Sequence, residues 1–405
     1  MITYNELVNQ FTELYGQNGG EIRIFEAPGR VNLIGEHIDY NGGFVFPAAL
    51  NLSNVVIARK NNLNLIRMAV TSLPDKVEAN INNLEIYKEL RWGNYQLGIA
   101  DVLQKNGTDI IGLDLLYNGT VPYGSGLSSS ASIEIATLIA FEKMLNLNFS
   151  ITERAKLAQR AENEYVGVKC GIMDQFASAA GKAEYAIFLD CSSLYYELVP
   201  LNLANNKLLL IDSCIRHNLG DSKYNERRTE CDKALELLKT RLNNLNTLCD
   251  ATCEQLNENL DLFGDKIILK RARHAISENE RTKESVELLK QNNIKGFGQL
   301  MNESHISLRD DFEVSCKELD FIFEFGQKHP SVSGLRMTGA GFGGCVVAII
   351  DNDSIEAFKT ELCKQYKHEF DIEPLFYSCE IGNGGREIDF NYSKELVQGK
   401  GIEKI

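Results

Sequence analysis

The period of hydrophobic and polar positions changes several times along the chain, and each change marks an element. Leu7, Phe11, Leu14 and Tyr15 fall three and four apart, the spacing of one face of a helix. Short apolar runs follow, punctuated by Gly and Asn. Those at 54–59, 65–70 and 113–117 read as strands. Two helical stretches come next, about 128–145 and 152–166. In the first, Ile133, Ala136, Ala140, Phe141 and Met144 hold helical spacing. The run 185–190 reads as a buried strand, and so does 207–212. A long helical region follows, where Leu235, Leu238, Leu242, Leu245 and Cys249 form a stripe predicted to pack on its own domain. A further helix over 268–291, a strand at 335–338, a Gly-rich loop and a strand at 345–351 complete the pattern. Strands followed by helices predict an α+β protein of two domains, 1–195 and 196–405.

The length of 405 residues fits two domains, with apolar content of 44% to fill their cores. Lys+Arg 42 against Asp+Glu 56 gives a formal charge of −14. That balance argues against nucleic acid or an anionic membrane as the main partner, since both reward a basic surface. It leaves a small phosphate ligand open, because a few local donors outweigh a global charge. The first residues carry no basic region followed by an apolar one, as an export signal would. The longest strongly apolar run, Cys345 to Ile350, is far too short to span a bilayer. The 10 cysteines include no CxxC pair, and they read as reduced thiols of a cytoplasmic protein. No interaction stripe stands out, and a monomer is expected.

Four segments carry candidate chemistry. In VPYGSGLSSSASIEIA, 121–136, Gly124, Ser125, Gly126 and Leu127 lead into Ser128, Ser129 and Ser130 at a helix start. Small residues and the free amides of a first helical turn suit a phosphate. The same pattern also describes a Ser-capped helix after a turn. No Walker A lysine is present. In APGRVNLIGEHIDYNGG, 27–43, Arg30, Glu36, His37 and Asp39 cluster among glycines. Carboxylates accept from hydroxyls and His donates or accepts, which suits a polyol, and Arg30 could meet a phosphate or a carboxylate. The bland alternative is a solvated polar loop. In AENEYVGVKCGIMDQF, 161–176, Glu162 lies on a helix ending near Gly167, and Asp174 lies near the start of the next. The helix dipole there favours an ionised carboxylate, as a general base requires, although Asp is equally a common cap. In MTGAGFGGC, 337–345, the glycines permit backbone to approach either a ligand or another loop.

Taken in this order, the segments resemble the GHMP family of small-molecule kinases. The 27–43 segment is similar to a sugar-binding signature of that family, VPYGSGLSSSAS to its phosphate loop, and MTGAGFGGC to its third motif. WGNYQLG at 92–98, ENEYVGVKCGIMDQF at 162–176, RHNLGDSKYNERRTEC at 216–231, RARHAISENERT at 271–282 and SHISLRDDFEVSCKELD at 304–320 extend the resemblance over nearly the whole chain. It implies a ribosomal-protein-S5-like N-terminal domain, a ferredoxin-like C-terminal domain and an active site in the cleft between them. It further implies ATP along Gly124–Ser130, Mg²⁺ on Ser130 and Glu162, and a nucleotide base or ribose near Ser72 and Trp92. A sugar would be held by Glu36, His37, Ile38, Asp39, the backbone at Gly171 and the hydroxyl of Tyr224. Asp174 would be the base and Arg30 its partner. An adjacent guanidinium keeps a carboxylate ionised but makes it a weaker base, so most of the rate would come from geometry and charge. The implied reaction is phosphorylation of the C1 hydroxyl of galactose. Its rivals are another family sugar kinase, such as one acting on N-acetylgalactosamine, and a sugar-binding regulator that has lost catalysis. A structural protein would need all four segments to be coincidental turns and caps.

Overall fold

The computed structural model describes residues 2–90, 92–122, 124–216 and 220–390, without the side chains of 220–222. Tyr123 of the phosphate segment, 217–219 of the 216–231 segment and the end of the second domain range, 391–405, lie outside the described residues. In chain order the strands are β1 (Arg23–Asn32), β2 (Phe44–Val45), β3 (Pro47–Lys60), β4 (Leu65–Val70), β5 (Val77–Asn80), β6 (Leu113–Gly119), β7 (Tyr185–Asp190), β8 (Tyr196–Pro200), β9 (Asn206–Asp212), β10 (Val332–Thr338), β11 (Cys345–Asp351), β12 (Leu375–Cys379) and β13 (Arg386–Ile388). The helices are α1 (Tyr4–Tyr15), α2 (Asn94–Lys105), α3 (Ser129–Met144), α4 (Ile151–Arg160), α5 (Met173–Ala180), α6 (Gly220–Lys239), α7 (Cys253–Glu258), α8 (Lys266–Lys290), α9 (Ile294–Asp310), α10 (Lys317–Lys328) and α11 (Ile355–Phe370).

A six-stranded sheet has the order β13-β1-β3-β6-β4-β5, antiparallel except where β4 meets β6. The helices α3 and α5 lie against β1 and β3. A second, antiparallel sheet has the order β10-β11-β9-β12. Numbered along the chain, its strands run 2-3-1-4 in space, with helices between the first and second and α11 between the third and fourth. That is the expected ferredoxin-like β-α-β-β-α-β succession, with α6 to α10 in place of one crossover helix. A third, small sheet has the order β2-β7-β8, and its Ala186 and Val199 share a core with Val31 and Ala48 of the first sheet and Leu210 and Val347 of the second. The α+β expectation therefore holds, and no helix among the described residues is long and apolar enough to cross a membrane.

Periodicity located β4, β7, β9, α3, α8 and β11 within a residue or two, and it marked one face of α1 without its ends. Two readings need correction. The leucine stripe is not one helix: α6 stops at Lys239 and the chain turns through Asn243 and Asn244. Asn offers its side chain to nearby backbone and favours turns. Leu238, Leu245 and Cys249 still reach one core because the turn folds back on the helix. The first part of the 27–43 segment is not a loop either. Residues 27–32 end β1 and are fully buried.

Candidate active site

Arg30 is carried into the interior by β1, paired with β3 on one side. Its guanidinium donates from Nε to Asp174 Oδ1 at 2.8 Å, from Nη2 to Asp174 Oδ2 at 2.9 Å and from Nη1 to the Gly126 carbonyl at 2.6 Å. The Arg30 side chain is 4% exposed and that of Asp174 is 30% exposed, so the carboxylate is the open half of the pair. Such a two-pronged pair fixes orientation as well as charge. Asp174 sits in the first turn of α5, where Ile172 holds the cap position. Its oxygens go to Arg30 and to the Ser128 hydroxyl, which donates at 2.5 Å, so the carboxylate is not spent on capping.

The serine-rich helix start also departs from simple capping. Ser128 precedes α3 with φ of 58° and makes no side-chain cap bond. Its hydroxyl is turned towards Asp174 instead. The amides of the first α3 turn have no intrahelical partners, as at any helix start. Ser125 is buried, donating to the Pro122 carbonyl, and Leu127 is a core residue whose carbonyl accepts from Arg30 N at 3.1 Å. The glycine loop 339–344 does two things: Gly339 and Ala340 reach the wall of the cavity beside Asp174, and the loop packs on a neighbouring loop. It braces the 124–127 loop: a Cβ at Gly339, where φ is +89°, would stand 2.8 Å from the Gly126 carbonyl.

Helix α4 widens into a π-turn over Ala161–Val166, closed by Gly167. This turn points Glu162 inward. Gln175 donates its amide to Glu162 Oε2 at 2.6 Å and to Glu134 Oε2 at 3.1 Å, and Ser130 hydrogen-bonds Glu162. Burial, then the negative charge of Asp174, raises the Glu162 pKa. Burial and then Glu162 raise that of Glu134. Two touching carboxyls do not both ionise without a cation nearby.

A cavity of about 180 Å³ lies beside Asp174, lined by Arg30, Glu36, His37, Asp39, Glu162 and Gly171, with Tyr224, Ala340 and the apolar Val168 and Met173 also on its wall. Asp39 accepts from Met173 N at 3.3 Å, and burial followed by the charge of Asp174 pushes its carboxyl up to about 6. Glu36 accepts from Asn32 at 2.6 Å, Arg336 at 2.8 Å and Gly339 N at 2.6 Å. His37 receives the Tyr40 hydroxyl at Nδ1 and donates from Nε2 to the Ala340 carbonyl at 3.1 Å. Burial, with nearby His274, drives its pKa down to about 3, so the ring is neutral. Tyr224, from α6, lies 5.4 Å from the His37 ring and 5.5 Å from Tyr40.

Tertiary structure thus brings Arg30, Glu36, His37, Asp39, Glu162, Gly171, Asp174 and Tyr224 to one cavity, with Ser128 and Ser130 bonded to its carboxylates. Ile38 is not on the cavity wall; it is fully buried in the core. Ser72, exposed after β4, and Trp92, packed beside the α2 core, are also off the wall. Sequence reasoning passed over Glu134, Gln175, Arg336 and Arg216. Glu134 stands four residues after Ser130 on a predicted helix, so it shares that helix face. Arg336, fully buried within an apolar strand, was a visible anomaly. Arg216, paired with Asp212 and lying against Gly124, opens the 216–231 segment of the resemblance, but neither spacing nor charge pattern singles it out there.

Three family profiles match the chain: the galactokinase galactose-binding signature over residues 9–60, the GHMP kinases N terminal domain over 94–182 and the GHMP kinases C terminal over 285–368. The Methanococcus jannaschii mevalonate kinase shares the fold, with a TM-score of 0.65 at 21% identity, covering 90% of this chain and 99% of that one. Fold and site agree on the class, the GHMP small-molecule kinases. Within it, a galactokinase of Clostridium perfringens (strain SM101 / Type A) is 46% identical over 393 residues, 95% of this chain and 99% of the relative. The Lactococcus lactis galactokinase, solved in complex with galactose, superposes with a TM-score of 0.92 at 39% identity, covering 94% of this chain and 99% of that one. The chain belongs to the galactokinase family of ATP-dependent sugar kinases.

Proposed function

We propose that this chain phosphorylates galactose at C1, using ATP and giving α-galactose 1-phosphate and ADP, the step that commits galactose to the Leloir pathway. The observation that carries this reading is the bidentate Arg30–Asp174 pair opening onto the cavity that Glu36, His37 and Asp39 also line. Glu36, Asp39, the Gly171 backbone and Tyr224 hold the sugar, His37 shapes the wall, and Ile38 anchors their loop in the core. Asp174 takes the proton of the C1 hydroxyl, whose oxygen then bonds to the γ-phosphorus as the bond to ADP breaks. Arg30 and Ser128 hold the carboxylate towards that hydroxyl, and Arg30 adds positive charge where negative charge spreads in the transition state.

The phosphates lie along Gly124 to Ser130, with Ser125 and Leu127 as the buried supports of the loop and Ser129 at the first free turn of α3. The resemblance to the family supports Ser72 and Trp92 at the nucleotide base or ribose. Ser130 and Glu162 hold Mg²⁺, which neutralises phosphate charge when bound. Their hard oxygens suit that ion, and the buried Glu134 Oε1 and Gln175 Oε1 have no partner among the described residues, as expected beside a cation. A division at 195–196, a monomeric state and a cytoplasmic setting complete the proposal, the last supported by the free cysteines.

The test is ADP release with ATP and Mg²⁺ over galactose, glucose, N-acetylgalactosamine, mevalonate and homoserine. Galactose should stimulate most. Release no faster than the sugar-free blank overturns the proposal, and preference for N-acetylgalactosamine moves the chain to the rival sugar.

A further inference from the structure

The sugar-side loop has little regular structure of its own. Between Ile34 and Phe44 only Asp39–Asn41 is regular, a single 3-10 turn, and Gly35, His37 and Gly42 have φ of 96°, 62° and 71°. Backbone amides in such a segment need partners. Asn41 and Gly43 donate to the Ile38 carbonyl within the loop, while the amides of Gly35, Glu36 and Phe44 find their partners on one face of α8. Glu278 Oε1 accepts from Gly35 N at 2.9 Å and from Glu36 N at 3.3 Å. His274 Nε2 donates to the Glu36 carbonyl at 3.1 Å, while its Nδ1 accepts from Ser307 at 2.9 Å. Asn279 accepts from Phe44 N at 2.8 Å. None of these side chains lines the cavity.

The arrangement is over-determined for a mere packing contact. Glu278 is fully buried, yet it remains an anion supplied by the Ser304 hydroxyl at 2.6 Å and Arg281 at 2.9 Å, beside two successive loop amides. Burial alone would raise its pKa; the charges of Arg281 and Arg336 and the Ser304 hydrogen bond outweigh burial and hold it below the usual carboxylate range. His274, desolvated, falls to about 4 and stays a neutral donor to the loop. Both groups therefore keep the same hydrogen-bonding roles across the physiological range. The Glu36 side chain is meanwhile tied from the opposite side, to Arg336 and the Gly339 amide.

We infer that Glu278 and His274 of α8 are positioning residues for sugar recognition: they clamp the backbone of residues 35–36 so that Glu36, His37 and Asp39 face the cavity. The second half of the chain thereby sets the geometry of a binding loop that belongs to the first. This rests on the proposal that those loop residues meet the sugar.

Steady-state kinetics with galactose and ATP varied separately, calorimetric galactose binding without ATP, and thermal melts test it. Glu278→Ala should raise the galactose KM and dissociation constant at least tenfold, with the ATP KM within twofold. Glu278→Gln, which keeps one acceptor oxygen, should recover most of that loss. Arg281→Ala removes the charge partner but no loop contact; it should lower the melting temperature and leave the galactose KM within twofold. If Glu278→Ala does not fold, His274→Ala carries the test, with an expected fivefold rise in galactose KM alone. Unchanged galactose binding in folded Glu278 and His274 variants overturns the inference, as does an equal rise from Arg281→Ala. Asp39→Asn separates the two levels: if it leaves galactose binding intact the sugar reading itself falls, and if only Asp39→Asn acts, the clamp alone falls.

Discussion

At the scale of single residues, the site is a set of charges that hold one another in place. Asp174 has both oxygens occupied, by Arg30 and by Ser128, and only its open side faces the cavity. Asp174→Asn should keep galactose and ATP binding while kcat falls on the order of 10²–10⁴-fold, the range for loss of a general base; single-turnover phosphate transfer and calorimetry check both halves. Unchanged turnover removes Asp174 from that role. Asp39 makes a pH prediction. Its folded pKa is about 6 against an ordinary 3.8, raised by burial and then by Asp174. A raised acid favours the protonated native state, so its contribution to stability is full below the ordinary value and is lost as pH rises through about 6. Galactose affinity should move the other way, strengthening between pH 5 and 7 as the carboxylate gains acceptor capacity. Titrating binding at several pH values checks this, and Asp39→Asn should flatten the profile.

At the scale of elements, loops that touch decide which substrate a change disturbs. A Cβ at Gly171 would fall on the Asp39 carboxylate, whereas one at Gly339 would press on the Gly126 carbonyl in a backbone region that side chains rarely adopt. Gly171→Ala should therefore raise the galactose KM about tenfold and leave the ATP KM nearly unchanged, whereas Gly339→Ala should raise both, because Gly339 touches the Gly126 carbonyl and its amide also holds Glu36; misplacement near 1 Å costs up to about 10²-fold. The two Michaelis constants, measured on both variants, check the contrast; an unchanged ATP KM in Gly339→Ala would contradict the bracing of the 124–127 loop. The sequence showed these elements unevenly. β4 reads cleanly because Leu65–Val70 is a short apolar run bounded by polar turns. The end of β1 was hidden because Glu26, Arg30 and Asn32 are polar residues in a buried strand. Glu26 and Arg30 are tolerated there by partners far along the chain, Arg386 and Asp174, the latter 144 positions from Arg30, and Asn32 by Glu36 four positions on. The leucine stripe misled for the opposite reason: α6 and the turn after it serve the same core, so the apolar spacing outlasts the helix.

At the scale of the whole molecule, the chain closes on itself. β13, near the end of the described residues, pairs with β1, and Arg23 meets Glu387 through two bonds of 2.6 and 2.7 Å. Gly385 lies against Ile135 and Ile139 of α3, the helix whose start carries Ser130. Truncation after Glu380 removes that edge strand. It should lower the melting temperature by several degrees, since about 1 kcal/mol corresponds to about 2–4 °C in domains of 150–250 residues. Differential scanning calorimetry checks it, and an unchanged melt would show that the six-stranded sheet does not need its last strand.

The sequence by itself determined the kinds of chemistry and most of the elements: a serine-rich helix start, a glycine-braced loop, a polyol-suited cluster and an acid at the head of a helix. Those signals are local, because hydrophobic period and turn chemistry act over a few residues. Tertiary structure alone decided which of them meet. It buried Ile38, kept Ser72 and Trp92 off the cavity wall, set Ser128 on Asp174 and brought α8 under the sugar-side loop. Pairing a buried charge depends on the path of the whole chain, and desolvation makes that pairing obligatory wherever the path brings the groups together.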